Sequence, residues 1–241
     1  MRLHKYLANA GIGSRRAIEE MIKLGKIKVN DRIAELGQQV TSKDTIQVEN
    51  KFVTFSEVSE SIPPRVLIYN KPEGEICSQS TKEVKQTVFD HLPKLHQGRW
   101  VMVGRLDVNT SGLLIFTNDG ELAHRLMHPR FKLDRQYAVR VIGNVTDNII
   151  ARLKKGVPLP DTGFCRFKDM VPRASSSGLN QWFTVTLGEG KYREVRQLFA
   201  SQNCTVSRLI RIKYGNIALP KDLKKGCWRE LSPEEVTACL L

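Results

Sequence analysis

In GRLDVNTSGLLIFTNDGEL, residues 104–122, a lone carboxylate stands at the polar mouth of an apolar run. Asp107 is followed by Val-Asn-Thr-Ser-Gly and then by Leu113-Leu114-Ile115-Phe116, a stretch that must be buried. Such an aspartate has two uses. It can cap a turn, accepting the backbone amides around Asn109 to Ser111. Alternatively, an ionised carboxylate in a cleft can act as nucleophile or base. Local pattern leaves both open. Other polar groupings are weaker. His124 and His128 stand four apart on a helical stretch, on one face as zinc ligands would be, but nothing completes a ligand set. Asp107 and Asp119 flank a strand whose residues 113–117 alone span roughly 13 Å at ~3.3 Å per residue. Ligands of one ion must lie within ~2.6 Å of it. GEGKYRE places glycines near a lysine without the spacing of a phosphate-cradling loop. No metal or cofactor site emerges, and neither group is expected.

The charge balance narrows the partner. Lys and Arg total 38 against 25 Asp and Glu, a net +13 over 241 residues. A field of that sign attracts polyanions, of which nucleic acid is the commonest in the cytosol. No basic helix carries the apolar face that a membrane surface requires, no run approaches the roughly 20 apolar residues of a span, and MRLHKYLANAG lacks the apolar segment of a leader. The five cysteines are scattered, with no Cys-x-x-Cys pair. That usage suits reduced thiols in a cytoplasmic chain. Monomer is the default for oligomeric state.

The elements that must position these residues fall in two parts. Leu3, Leu7 and Ala10 predict a short helix ending at Gly11. Ser14 predicts the cap of a second, whose Ala17, Ile18, Met21 and Ile22 bury one face. KIKVN, the turn Asn30-Asp31, RIAEL and DTIQVE predict short strands. Residues 1–34 hold eight Lys and Arg against three acids. Arg15 and Arg16 open the second helix, where backbone amides already favour anions. This opening, RLHKYLANAGIGSRRAIEEMIKLGKIKVND, resembles the S4-type RNA-binding module (alpha-L fold). The resemblance implies an RNA face that includes Arg15, Arg16, Lys26 and Lys28.

SEVSESIPP then reads as a linker, which places an RNA-binding domain at 1–58, the linker at 59–64 and a larger domain at 65–241. Strand-like runs dominate the larger part: VLIYN, WVMVG, LLIFTN, YAVRVIG, WFTVTL and VSRLIRI. GELAHRLMH and YREVRQLFAS fit helical periodicity, and RASSSGLN reads as a loop. The expected class is α+β, with a large mixed, mainly antiparallel sheet.

Read together, IYNKPEGEICS, the Gly-Arg-Leu-Asp segment, DRQYAVRV, GEGKYREVRQLF and VSRLIRIKYGNI resemble the pseudouridine synthases. The likeness is to the branch containing the RsuA and RluB enzymes of bacterial ribosomal RNA. LNQWFTVTLGEGKYREVRQLF and the late Trp228-Arg229-Glu230-Leu231 look most like the RluB type, which acts on large-subunit RNA. The resemblance implies the pseudouridine synthase fold and assigns roles. Asp107 is the catalytic aspartate, Tyr137 the tyrosine that packs on the target base, and Arg196 the cation that pairs with Asp107. Arg105 is linked to nucleotide flipping. Arg135 stands where many relatives have lysine. Lys71, Arg208 and Arg211 extend the expected RNA contacts, as does KDLKKG.

The implied reaction breaks the bond from ribose C1′ to uracil N1, turns the base and rejoins it through C5. Hydrolytic glycosidases use two carboxylates. Here the base stays, so one suffices, and neither metal nor cofactor is required. The target must leave its stack, which is least costly in a loop or bulge. A ribosomal RNA stem-loop is the expected partner.

Overall fold

The computed structural model describes residues 1–53, 64–78, 86–96, 98–173 and 180–238. The stretch read as a linker, apart from Pro64, and residues 174–179 of RASSSGLN lie outside the described residues. Contacts divide the chain into two units. One is Met1–Pro64 with Lys94–Val101 and Asn118–Gly120; the other is Arg65–Pro93 with Met102–Thr117 and Glu121–Leu241.

In the first unit, α1 (Leu3–Asn9) and α2 (Arg15–Lys23) precede β1 (Ile27–Val29), β2 (Arg32–Ile33), β3 (Ile46–Val48) and β4 (Lys51–Val53). The strands form a sheet in the order β2-β1-β3-β4. Ser14 caps α2 as expected, its Oγ accepting the Ala17 N–H at 3.1 Å. Asn30 and Asp31 take φ of 49° and 63°, the positive values that let a two-residue turn match the twist of its strands. Leu3, Leu7, Ile18, Ile22, Ile27 and Ile46 close one core. Burial alternates along β1, so Lys28 points outward between Ile27 and Val29.

The second unit is built on a nine-stranded sheet. In chain order its elements begin with β5 (Val66–Lys71), β6 (Val101–Val103), β7 (Ser111–Thr117), α3 (Gly120–Met127), β8 (Arg135–Ile142) and α4 (Asp147–Lys155). The hairpin β9 (Val157–Leu159) and β10 (Gly163–Cys165) comes next, then β11 (Asp169–Pro172), β12 (Asn180–Leu187) and α5 (Glu194–Ala200). β13 (Thr205–Tyr214), β14 (Ile217–Ala218), β15 (Trp228–Glu230) and α6 (Pro233–Ala238) complete it. The sheet runs β11-β12-β8-β13-β7-β5-β15, with β6 beside β7 and β14 beside β13.

β7 and β13 run parallel, whereas β5, β8, β11, β12, β14 and β15 join their neighbours antiparallel. This is the mixed, mainly antiparallel α+β sheet expected. Every residue of β5 and β7 is buried, which explains why 66–69 and 113–116 read as apolar runs rather than alternations. Within this unit α4, the β9–β10 hairpin, β11, β14, β15 and α6 carried no expectation. For α4 the end signals were present, with Asp147 in the first turn and Arg152, Lys154 and Lys155 in the last, as the helix dipole favours.

Candidate active site

Asp107 lies on the turn between β6 and β7. Thr110 closes that turn by donating its N–H to the main-chain oxygen of Asp107 at 3.0 Å. The carboxylate itself caps nothing. Its one partner among the described residues is the Arg193 guanidinium, 3.9 Å away, and it remains 35% exposed. The turn-capping role is therefore filled by backbone, and the side chain is left for another use.

The turn is held from below by Lys71. This lysine is completely buried, and its Nζ donates to the carbonyl oxygens of Pro72 at 2.9 Å, Thr110 at 3.0 Å and Val108 at 3.3 Å. Burial pushes its ammonium pKa below the ordinary lysine value. Lys71 is thus corrected from an RNA contact to an internal brace, because every residue of β5 is buried and its amine is spent on main-chain carbonyls. Lys71→Met is expected to lose roughly 2–4 kcal/mol, since two or three carbonyls lose their donor. The Tm then falls by roughly 4–16 °C. Urea unfolding checks this, and an unchanged midpoint would refute the brace.

Tyr137 sits on β8, only 8% exposed. Arg211 faces it in register across β13. Arg211 is also corrected: it is 2% exposed, its Nε donates to the Leu113 carbonyl at 2.7 Å, and its guanidinium lies 5.1 Å over the Tyr214 ring. It is a buried cation beside the cavity and not a surface phosphate grip. Asp107, Tyr137, Arg193 and Arg211 line one open cavity of about 240 Å³, together with Arg105 and Leu106.

The expected ion pair between Arg196 and Asp107 is not formed. Arg196 Nη2 donates to the Asn109 carbonyl at 2.8 Å and Nη1 to the Val206 carbonyl at 2.9 Å. The reason lies in where α5 begins. Arg193 is its N-cap at φ 48°, outside the helix and free to reach the carboxylate. Arg196, one turn inside, meets the loop backbone two residues beyond Asp107. Desolvation and the neighbouring Arg193 lower the Arg196 pKa, with Asp107 and Glu73 opposing. Two guanidiniums thus crowd a single carboxylate, a local excess of positive charge suited to an anionic ligand.

The remaining expected residues spread over both units. Arg105 is exposed at the cavity rim. Arg208 is half-buried, 3.9 Å from Glu73. In the first unit Arg15 and Arg16 are exposed at the start of α2, Lys28 points outward, and Lys26 is tied to Glu49 at 2.8 Å. Arg193 and Arg135 were given no site role from sequence. Arg135 brackets the wall of the cavity, donating to the Leu133 carbonyl at 3.0 Å and the Tyr214 hydroxyl at 3.0 Å.

Glu194, also lining the cavity, is buried and accepts the Lys191 N–H at 3.0 Å. Burial pushes its carboxyl pKa up, partly opposed by that hydrogen bond. A carboxyl whose folded pKa exceeds its unfolded value contributes stability below the unfolded pKa and loses it as pH rises through the folded one. Glu194→Gln removes that loss. It is expected to raise Tm at pH 7.5, with the gain shrinking towards the unperturbed glutamate value of about 4.3. Tm measured across that pH range decides it; a gain that grows on acidification would contradict the sign.

Comparisons with known proteins place the chain in a family. A family model described as RNA pseudouridylate synthase matches residues 65–201, and an S4 domain model matches residues 1–46. The chain is 51% identical to a "Ribosomal large subunit pseudouridine synthase B" of Haemophilus influenzae, over 98% of this chain and 66% of that protein. It is 48% identical to the protein of the same name from Pseudomonas aeruginosa, over 98% and 60%. With that of Yersinia pestis it shares 50%, over 95% and 72%. The chain therefore spans two thirds or less of the length of the first two relatives. A solved structure titled "Crystal structure of pseudouridylate synthase" superposes with a TM-score of 0.68 at 26% identity, covering 99% of both chains.

Proposed function

The chain belongs to the RNA pseudouridylate synthase family, and on that premise we propose that it isomerises a uridine of large-subunit ribosomal RNA to pseudouridine. The observation that carries the proposal is the unused carboxylate of Asp107, which shares a cationic cavity with the ring of Tyr137. In this reading the target nucleotide leaves its stack and enters the cavity. Tyr137 offers the uracil a flat apolar face and a hydroxyl near its edge. Asp107, with the Arg193 guanidinium 3.9 Å from its carboxylate, acts as nucleophile or base. Attack at C1′, attack on the uracil ring and removal of the C2′ proton all start from that same group. The C1′–N1 bond breaks, the base turns, and C5 bonds to C1′. The proton displaced from C5 is matched by the one gained at N1, so no atom is lost overall.

Arg196 acts through the backbone in this scheme. Its hydrogen bond to Asn109 fixes the turn, while Arg193 supplies the charge nearest the carboxylate. Residues 1–58 form the S4-type RNA-binding domain, 59–64 the linker and 65–241 the catalytic domain. Arg15, Arg16 and Lys28 contact phosphates, and Arg105 assists flipping at the rim. The enzyme works as a cytoplasmic monomer without cofactor. Chemical mapping of pseudouridines in large-subunit RNA tests the proposal, comparing a strain that lacks this protein with its parent. One modified position is expected to vanish and to return when the protein is added to the unmodified RNA. An unchanged large-subunit map refutes the substrate, and a position lost from small-subunit RNA reassigns it.

A further inference from the structure

Outside the catalytic cavity, one exposed stripe of the second unit joins an aromatic face to uncommitted positive charge. Phe164, Arg166 and Lys168 are exposed, whereas Cys165 and Phe167 between them are buried. All three line one cleft. Phe164 is 62% exposed yet firmly seated. Its ring lies against Gly156, where even a methyl group would collide with the ring carbons. Its backbone is held in the hairpin opposite Pro158, and its carbonyl accepts the Lys191 ammonium at 3.1 Å.

The charges around the ring are unequally engaged. Lys168 pairs with Asp134 at 2.7 Å, and Lys191 lies 3.5 Å from Glu189. Arg166 makes no hydrogen bond or ion pair among the described residues. The cleft that these residues line contains Glu194, whose carboxyl is buried, and it shares Lys191 and Glu194 with the catalytic cavity. The segment 188–194 thus forms a wall common to both.

A rigid aromatic face with a free guanidinium two residues away matches one ligand chemistry well. An unpaired nucleotide offers a base to stack and a phosphate to pair. A protein partner needs a wider apolar patch than one ring. Resting on the function proposed above, we propose that Phe164, Arg166 and Lys168 form a subsite for an unpaired nucleotide of the same RNA, adjoining the catalytic cavity. Phe164 stacks on the base and Arg166 holds its phosphate. The enzyme thereby selects a target uridine whose neighbourhood contains a second unstacked base.

The test uses a stem-loop RNA containing the target uridine, with each nearby unpaired nucleotide replaced in turn by 2-aminopurine, whose fluorescence falls on stacking. The native protein is expected to quench one position. Phe164→Ala abolishes that quench and raises KM about tenfold, with kcat within about twofold, and Phe164→Trp restores both. Arg166→Ala, an exposed change that leaves the fold intact, raises KM and lowers the salt dependence of binding by about one unit. Unchanged quench and KM in both variants, with native turnover intact, overturn the subsite and spare the proposed reaction. No turnover by native protein on any RNA overturns the reaction instead, and Phe164-dependent quenching then still reads the subsite. Should Phe164→Ala unfold, the native quench and Arg166→Ala decide alone. A defect seen only with ribosomal particles and never with free RNA assigns the stripe to a protein and refutes the proposal.

Discussion

Asp107→Asn is expected to fold like the native chain, to bind RNA at least as tightly, and to form no measurable pseudouridine. The folding half follows from the contacts. The carboxylate accepts no hydrogen bond among the described residues, and its pairing with Arg193 is long and half-exposed, a kind of ion pair worth roughly 0–1 kcal/mol. The binding half follows from charge. Amidation removes the negative group from a cavity ringed by Arg105, Arg193 and Arg211, so attraction for phosphate is kept or increased. Catalysis is different, because an amide is neither a nucleophile nor a base at neutral pH. A fall in kcat of roughly 10³-fold or more is expected. Release of tritium from C5-labelled RNA measures turnover, and filter binding measures affinity. Residual activity within tenfold of native would remove Asp107 from the chemistry. A collapse of Tm would instead show a structural role that the contacts do not reveal.

How much of this was legible beforehand depended on whether meaning lay in sequence spacing or in burial. The strands of the large sheet were legible because β5, β7, β8, β12 and β13 present long apolar or alternating runs. The β9–β10 hairpin was not, since its strands have three residues each and include Pro158 and Gly163. Asp107 and Tyr137 stood out through their segments, and the fold brings them to one cavity. The roles of the lysines and arginines lie in burial and not in spacing. In sequence Lys71 and Lys28 are equivalent basic residues next to apolar strand residues, yet one is sealed within the sheet and the other faces solvent. Arg193 and Arg196 stand three apart in one motif, and which of them reaches Asp107 depends on a helix starting at Glu194 rather than a residue or two earlier. Pattern reading rarely fixes element ends that closely.

The second large effect is expected at a residue with no side chain. Gly112 is the second residue of β7, at φ 101°. A Cβ built there meets the Arg211 carbonyl oxygen, lies 2.8 Å from the Arg211 nitrogen and 2.9 Å from Ile210 Cγ2. The neighbours are mostly main chain and cannot rotate away. They also belong to the parallel junction of β7 with β13, where Gly112 pairs with Arg211. That junction connects the two halves of the site: β7 carries the Asp107 turn, and β13 leads through its antiparallel partner β8 to Tyr137. Gly112→Ala therefore forces the strands apart at the point that sets the spacing of carboxylate and aromatic ring. Overpacking and the left-handed backbone together cost roughly 2–5 kcal/mol, or roughly 4–20 °C in Tm. Well below that Tm, kcat is expected to fall about 10²-fold, the penalty for an ångström of misplacement at a reacting centre. Gly37→Ala is the control. It shares the positive φ, at 82°, but has nothing within 4 Å of a new Cβ, so it carries the conformational cost without the collision and leaves kcat unchanged. Equal losses of Tm and kcat in the two variants would mean that the close approach of β7 to β13 does not position the site.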